Sequence, residues 1–196
     1  MMNYEKIKSH DGSKIEGPLL IKPIKFEDSR GFFMEAWNQK KFDTIFGKSV
    51  IFVQDNFSHS KKGVVRGLHL QKKPHEQGKL VRCLSGEIYD VIVDLRKDSI
   101  TFAKWFGINL SSENNYQLWI PEGFAHGFLA ISDTAEISYK TTTYWERESE
   151  ITIMWNEADI GIKWPLSENY IKNAIISKKD LEGISLSNYQ NINFAK

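Results

Sequence analysis

Leu80-Val81-Arg82-Cys83-Leu84, then Ser85-Gly86, then Glu87-Ile88-Tyr89-Asp90-Val91-Ile92-Val93-Asp94: this stretch reads as strand, tight turn, strand. β-Branched and aromatic side chains fill both arms, and Ser-Gly supplies the turn of a hairpin. The same pattern repeats outward from it. Residues 102–110, 116–120, 127–131 and 135–143 read as further strands, with turns at Pro121-Glu122-Gly123 and Asp133-Thr134. Period-2 alternation dominates from about residue 50 to 155, and many short strands at this spacing predict a barrel or sandwich. Helix is scarce. Residues 35–46 carry apolar side chains at 42, 45 and 46, and Gly47 is placed to cap them. A helical turn is expected near 167–173, after Trp164-Pro165. The Asn- and Ser-rich tail, 181–196, is expected to fray or lie on the surface. The apolar run Leu19-Leu20-Ile21 before Pro23 needs a sheet edge to join, which favours a dimer.

Composition narrows the function classes. The chain has 196 residues, 41% hydrophobic and 13% aromatic, enough for one domain with its own core. Lys and Arg total 26 against 25 Asp and Glu, a net charge of +1. Nucleic acid and anionic membranes need a basic excess, so neither is an expected partner. A small phosphate ligand needs only two or three local cations and stays open. Only five of the cations are Arg. Arg30, Arg66, Arg82 and Arg96 sit in strand-like or Gly-flanked segments, where a planar bidentate contact and a structural ion pair with Glu87, Asp90 or Asp94 are both open readings. Cys83 is the sole cysteine, so no intrachain disulfide forms and a reducing compartment is expected. The N-terminus lacks an apolar signal core, and the longest apolar run, 88–93, is broken by Asp90. The expected location is the cytoplasm.

Five histidines are candidates for chemistry. His10 lies in a polar turn and His59 in a polar loop, and both read as surface residues. His69 and His126 lie in apolar strands, where an imidazole needs a partner. Arg66, three residues before His69, falls on the opposite side of the strand by parity. Pro121-x-Gly123-x-x-His126 resembles the second motif of the cupin β-barrels. In metal-binding cupins an earlier motif supplies His-x-His and a Glu, but here Gln71 stands where the second His belongs. His69, His75, Glu76 and His126 do not match a metal set in spacing, and no metal is expected.

Several segments in order carry a more specific resemblance: Asp28-Ser29-Arg30-Gly31-Phe32-Phe33-Met34-Glu35, Phe52-Val53-Gln54-Asp55-Asn56, Arg66-Gly67-Leu68-His69, Gln77-Gly78-Lys79-Leu80-Val81-Arg82, Gly86-Glu87-Ile88-Tyr89-Asp90-Val91, residues 117–128, Tyr139-Lys140-Thr141-Thr142 and Ile175-Ile176-Ser177-Lys178-Lys179-Asp180. From about residue 26 to 180 the chain resembles the dTDP-4-dehydrorhamnose 3,5-epimerases. The resemblance implies an all-β fold, a cupin-type jelly-roll barrel or sandwich with a few short helices. It also implies one domain over 1–196, with residues 1–50 contacting a dimer partner and 181–196 as a tail.

The implied substrate is a nucleotide-diphosphate 4-keto-6-deoxyglucose. Its C4 ketone acidifies the protons on C3 and C5 and serves as the electron sink, so no cofactor is expected. His69 matches the general base and Asp180 its carboxylate partner. Tyr139 matches the acid on the other face of the sugar. Lys79 matches the cation beside the C4 oxygen. Gln54, Asn56, Arg66, His126, Glu150 and Lys179 match substrate-binding positions. Arg30, Phe32 and Glu35 match a nucleotide-binding segment presented across a homodimer interface. Two positions depart: Phe57 replaces the usual His after Gln-Asp-Asn, and Tyr144-Trp145 replaces Tyr-Tyr. A single-site epimerase, a CDP- or GDP-sugar enzyme, a metal-dependent cupin and a non-catalytic sugar-nucleotide barrel are the alternatives.

Overall fold

The computed structural model describes residues 3–47, 49–165 and 174–192. In chain order the elements are β1 (Asn3–Lys8), β2 (Lys14–Lys22), β3 (Lys25–Asp28), β4 (Gly31–Met34), α1 (Gln39–Phe46), β5 (Gln54–Lys61), β6 (Val64–Gln71), β7 (Lys79–Ser85) and β8 (Glu87–Asp94). They continue with β9 (Trp105–Ser111), β10 (Gln117–Ile120), β11 (Phe124–Ala130), β12 (Thr134–Thr141), β13 (Glu150–Thr152), β14 (Ile175–Ile176), α2 (Lys178–Leu181) and α3 (Leu186–Asn191). One sheet has the order β1-β2-β10-β7-β12-β5 and the other β13-β6-β11-β8-β9, with β14 on β6. All pairings but that of β14 with β6 are antiparallel, and from β5 to β13 successive strands alternate between the two sheets except β8 and β9, which pair; β3 and β4 form a separate two-stranded hairpin. The result is the expected jelly roll.

Alternation assigns every layer. Leu20, Val81, Leu118, Ile137, Ile88, Ile92 and Phe128 point between the sheets and form the central core. Leu19, Ile21, Leu80 and Trp119 point outward from the first sheet and are covered by α1 through Phe42. Asn38 caps α1 by accepting from the Lys41 N–H, and Gly47 closes it in the left-handed region at φ 64°. Leu68, Leu70, Val91 and Val93 point outward from the second sheet and are covered by Leu186 and Tyr189 of α3. No helix among the described residues is long and apolar enough to cross a membrane.

Several expectations need correction. The two strands at 80–94 do not form a hairpin: β7 pairs with β10 and β12 in the first sheet and β8 with β11 and β9 in the second, so Ser85-Gly86 turns the corner between the sheets. The strand anticipated from residue 102 begins at Trp105, because 101–103 form a turn in which Ala103 takes φ 61°. The helix anticipated from 35 begins at Gln39, where Asn38 caps it. His59 is on exposed strand β5 and pairs with Glu136 at 3.4 Å. Leu19-Leu20-Ile21 finds its sheet edges within the same chain, pairing with both β1 and β10, so it gives no argument for a dimer. The tail does not simply fray. Leu186 and Tyr189 are buried, and the Tyr189 hydroxyl donates to the Leu95 carbonyl at 3.0 Å. The turn anticipated at 167–173 lies outside the described residues.

Candidate active site

The central core fills one part of the space between the sheets, and polar side chains line the remainder. On β5 the alternation places Gln54, Asn56, Ser58 and Ser60 inward, while Asp55, Phe57, His59 and Lys61 are exposed. Lys79 of β7 and Tyr139 of β12 enter from the same sheet. Arg66 and His69 of β6 and His126 of β11 enter from the facing sheet. Together with Gln71, Gln77, Phe128, Trp145, Glu150 and Lys179 they surround a cavity of about 420 Å³. A larger hollow of about 600 Å³, bordered by Lys72, Lys73, Arg96, Lys97 and Tyr189, contains none of the predicted catalytic side chains.

Arg66 and His69 share this cavity despite their odd separation. Between the matched positions β11 advances from 126 to 128 while β6 moves from 69 to 66. The extra residue is a bulge that turns both side chains inward. The strands also approach very closely here. A methyl group on Gly67 would meet Gly127 Cα at 2.6 Å and the His126 carbonyl at 2.7 Å, and Gly67 has φ +114°. Only glycine permits both the contact and the dihedral. This crossing sets His69 and His126 directly opposite one another as register partners.

His69 Nε2 lies 2.6 Å from Asp180 Oδ1. The carboxylate comes from far along the chain. β14 runs parallel to the start of β6, and Ser177 accepts from the Asp180 N–H to begin α2. The Gly67 N–H reaches Asp180 Oδ2 at 3.4 Å. Burial pushes the Asp180 carboxyl up, but the His69 hydrogen bond and charge, with Gly67 and Ser177, bring it below the ordinary aspartate value. An ionised carboxylate only accepts, so His69 carries its proton on Nε2 and keeps its lone pair on Nδ1.

His126 repeats the bond with Asp90 at 2.7 Å. Lys79 is buried and donates to the His69 carbonyl at 3.2 Å. Burial lowers its ammonium to about 8, against the opposing pull of Glu150 and Asp90. Tyr139 is raised by burial and then by Glu150, with Arg66 opposing. Lys179 pairs with Glu150 at 2.9 Å on the rim. Arg66 donates to Ser60 Oγ at 3.1 Å and to the His59 carbonyl at 3.2 Å.

Ten of the thirteen sequence-predicted positions therefore belong to one constellation: His69, Tyr139, Asp180, Lys79, Gln54, Asn56, Arg66, His126, Glu150 and Lys179. Arg30, Phe32 and Glu35 do not line the cavity. They belong to the exposed β3–β4 hairpin and the segment after it, where Arg30 pairs with Asp28 and Glu35 with Lys41. Gln71 is a latch, not a vacant ligand position: its amide donates to the His75 and Tyr144 carbonyls and accepts from the Glu146 N–H. No group of three or more His, Cys, Asp or Glu among the described residues is arranged to hold a metal. Of the arginine ion-pair readings, Arg96–Asp94 is present and bidentate, at 2.9 and 2.7 Å. Ser58, Gln77 and Asp90 were not singled out for the site. Period-2 alternation from Gln54 and Asn56 identifies Ser58, whereas no local signal marks the pairing of Asp90 with His126.

Residues 12–188 match the sequence family described as dTDP-4-dehydrorhamnose 3,5-epimerase. The epimerase of that name from Shigella flexneri is 53% identical over 171 residues, spanning 87% of this chain and 92% of its own. The crystal structure of the Elizabethkingia anophelis epimerase superposes with a TM-score of 0.86 at 44% identity, over 95% of this chain and 97% of that one. A Legionella pneumophila dTDP-6-deoxy-D-glucose-3,5-epimerase, solved with dTDP-4-keto-L-rhamnose, gives 0.85 at 41% identity, over 97% and 95%. A jelly roll with its paired imidazole, tyrosine and buried lysine, matched along nearly its whole length, leaves one assignment: the chain belongs to the dTDP-4-dehydrorhamnose 3,5-epimerase family.

Proposed function

We propose that this protein is an isomerase that inverts C3 and C5 of dTDP-4-dehydro-6-deoxy-D-glucose, giving dTDP-4-dehydro-L-rhamnose. The observation that carries the reading is the His69–Asp180 pair at 2.6 Å in a cavity whose other sheet contributes Tyr139 and Lys79. His69 Nδ1 removes the proton next to the ketone, and Asp180 stabilises the imidazolium that forms. Lys79, charged below about pH 8, faces the oxygen on which the enolate charge collects. Tyr139, kept neutral by burial, returns a proton from the other side of the ring. Base and acid come from facing sheets, which is what inversion at a planar enolate carbon requires. The same cycle at the second carbon completes the product.

Gln54, Asn56, Arg66, His126, Glu150 and Lys179 are proposed to bind the sugar and pyrophosphate. Arg30, Phe32 and Glu35 are proposed to reach the nucleotide in a partner's cavity within a cytoplasmic homodimer. The exposure of Arg30 and Phe32 on a hairpin that also exposes Phe26 and Phe33, with Glu35 just after it, supports this, because apolar surface of that kind marks an interaction site. Proton NMR in D2O tests the reaction: deuterium is expected at both C3 and C5 of the dTDP sugar. Incorporation at one carbon only makes the protein a single-site epimerase, and faster exchange with the CDP or GDP sugar reassigns the nucleotide.

A further inference from the structure

Asp90 is an anomaly of the barrel interior. It lies on β8 between Ile88 and Ile92, three inward-facing residues that are all fully buried. Removing a carboxylate from water is costly unless both oxygens find donors. Asp90 Oδ1 meets His126 Nε2 at 2.7 Å, but Oδ2 is buried and has no hydrogen-bond partner among the described residues. An apolar side chain at this position suits the surrounding core better, so packing does not account for an aspartate.

Its one bond does account for it. Asp90 is the register partner of Phe128, two residues from His126 on the same face of β11, so the two side chains meet diagonally. An ionised carboxylate can only accept, which keeps the His126 proton on Nε2. The other ring nitrogen, Nδ1, makes no hydrogen bond to a described residue, is not a buried unpartnered atom, and belongs to a side chain that lines the cavity. We propose that Asp90 is a positioning residue: it holds the His126 ring in one orientation and one tautomer, so that Nδ1 is presented to the sugar of the bound nucleotide sugar. This rests on the epimerase reading above.

A double-mutant cycle tests it. Asp90→Ala is expected to lower kcat/KM for the dTDP-4-keto sugar by about 10–100-fold, the range for losing a residue that orients a contact group. The loss falls mainly in KM, and the affinity for dTDP itself stays unchanged. Asp90→Asn keeps a carbonyl oxygen for Nε2–H and recovers most of the loss. Because Asp90 acts through His126, the Asp90→Ala/His126→Ala double variant loses no more than His126→Ala alone. Multiplying losses, an equal loss of dTDP affinity, or an Asp90→Asn variant as impaired as Asp90→Ala would each overturn the proposal. If Asp90→Ala does not fold, the same cycle is run with Asp90→Asn, which is near-isosteric. The cycle is then expected to show the small Asn effect vanish in the His126→Ala background, and its persistence sinks the proposal. A hydrogen-bonded imidazole N–H resonance of His126 is also expected in the free protein and absent from Asp90→Ala. That signal does not depend on turnover. An inactive parent protein would therefore count against the epimerase reading, and an unchanged signal against this one.

Discussion

His69 and His126 stand opposite one another on β6 and β11, and each gives Nε2 to an aspartate, at 2.6 and 2.7 Å. The settings differ. The His69 side chain is 26% exposed and that of His126 is 10%. Asp180 arrives from a separate helix and is also served by the Gly67 N–H and the Ser177 cap, so both of its oxygens have donors. Asp90 is a strand neighbour in the core with one oxygen unserved. A carboxylate whose oxygens are both bonded tolerates a neighbour that gains and loses a proton. A half-bonded one fixes orientation. On the proposed reading, the same two residue types support proton transfer at one position and presentation of the sugar at the other.

The sharpest way to break this contrast is to delete each imidazole. His69→Ala is expected to lower kcat by about 10²–10⁴-fold with nucleotide affinity kept, since a general acid–base group is lost. His126→Ala is expected to act mainly on KM. Steady-state kinetics with dTDP inhibition as the binding control checks both, and a pure kcat defect in His126→Ala abolishes the distinction.

Next in size is the pH response of Lys79, which lies between the pairs, bonded to the His69 carbonyl and within the field of Asp90. It loses its charge above about 8, so kcat/KM falls there, and Lys79→Met removes that alkaline limb. Stability moves the other way. Between about 8 and the ordinary lysine value of 10.5 the unfolded chain binds more protons, so folding stability rises with pH. Parallel kinetic and melting profiles from pH 7 to 10 test both signs.

The smallest effect concerns acid. The Asp180 carboxyl is held below its ordinary 3.8, so its pairing contributes stability above that value and loses it as pH falls through the folded value. The melting-temperature gap between the parent and Asp180→Asn should shrink in that window. A constant gap means that the ionised form gains nothing from His69.

Much of this was legible beforehand, for reasons that can be stated. The strands at 80–85 and 87–94 and the turn between them announce themselves because turn chemistry and strand propensity are local. Gly47 marks the end of α1 for the same reason. The pairing of those two strands does not announce itself: a Ser-Gly turn serves a corner between two sheets as well as a hairpin. The site residues were reached through ordered motifs, and the spacing of His69 from Asp180 shows why nothing else sufficed: 111 residues separate partners that share one hydrogen bond. Parity failed for Arg66 because a bulge is a pairing defect that only the partner strand reveals. The tail misled because its polar Asn and Ser residues outnumber the two side chains, Leu186 and Tyr189, that dock it.

The β14–α2 segment gives the His69–Asp180 pair an order of assembly. A ribosome delivers β6, β7, β11 and β12 well before Ser177 and Asp180, so the walls of the cavity are made while His69 still lacks its carboxylate. On the proposed mechanism, a nascent or clipped chain that stops before Asp180 holds the pocket without the proton-transfer pair.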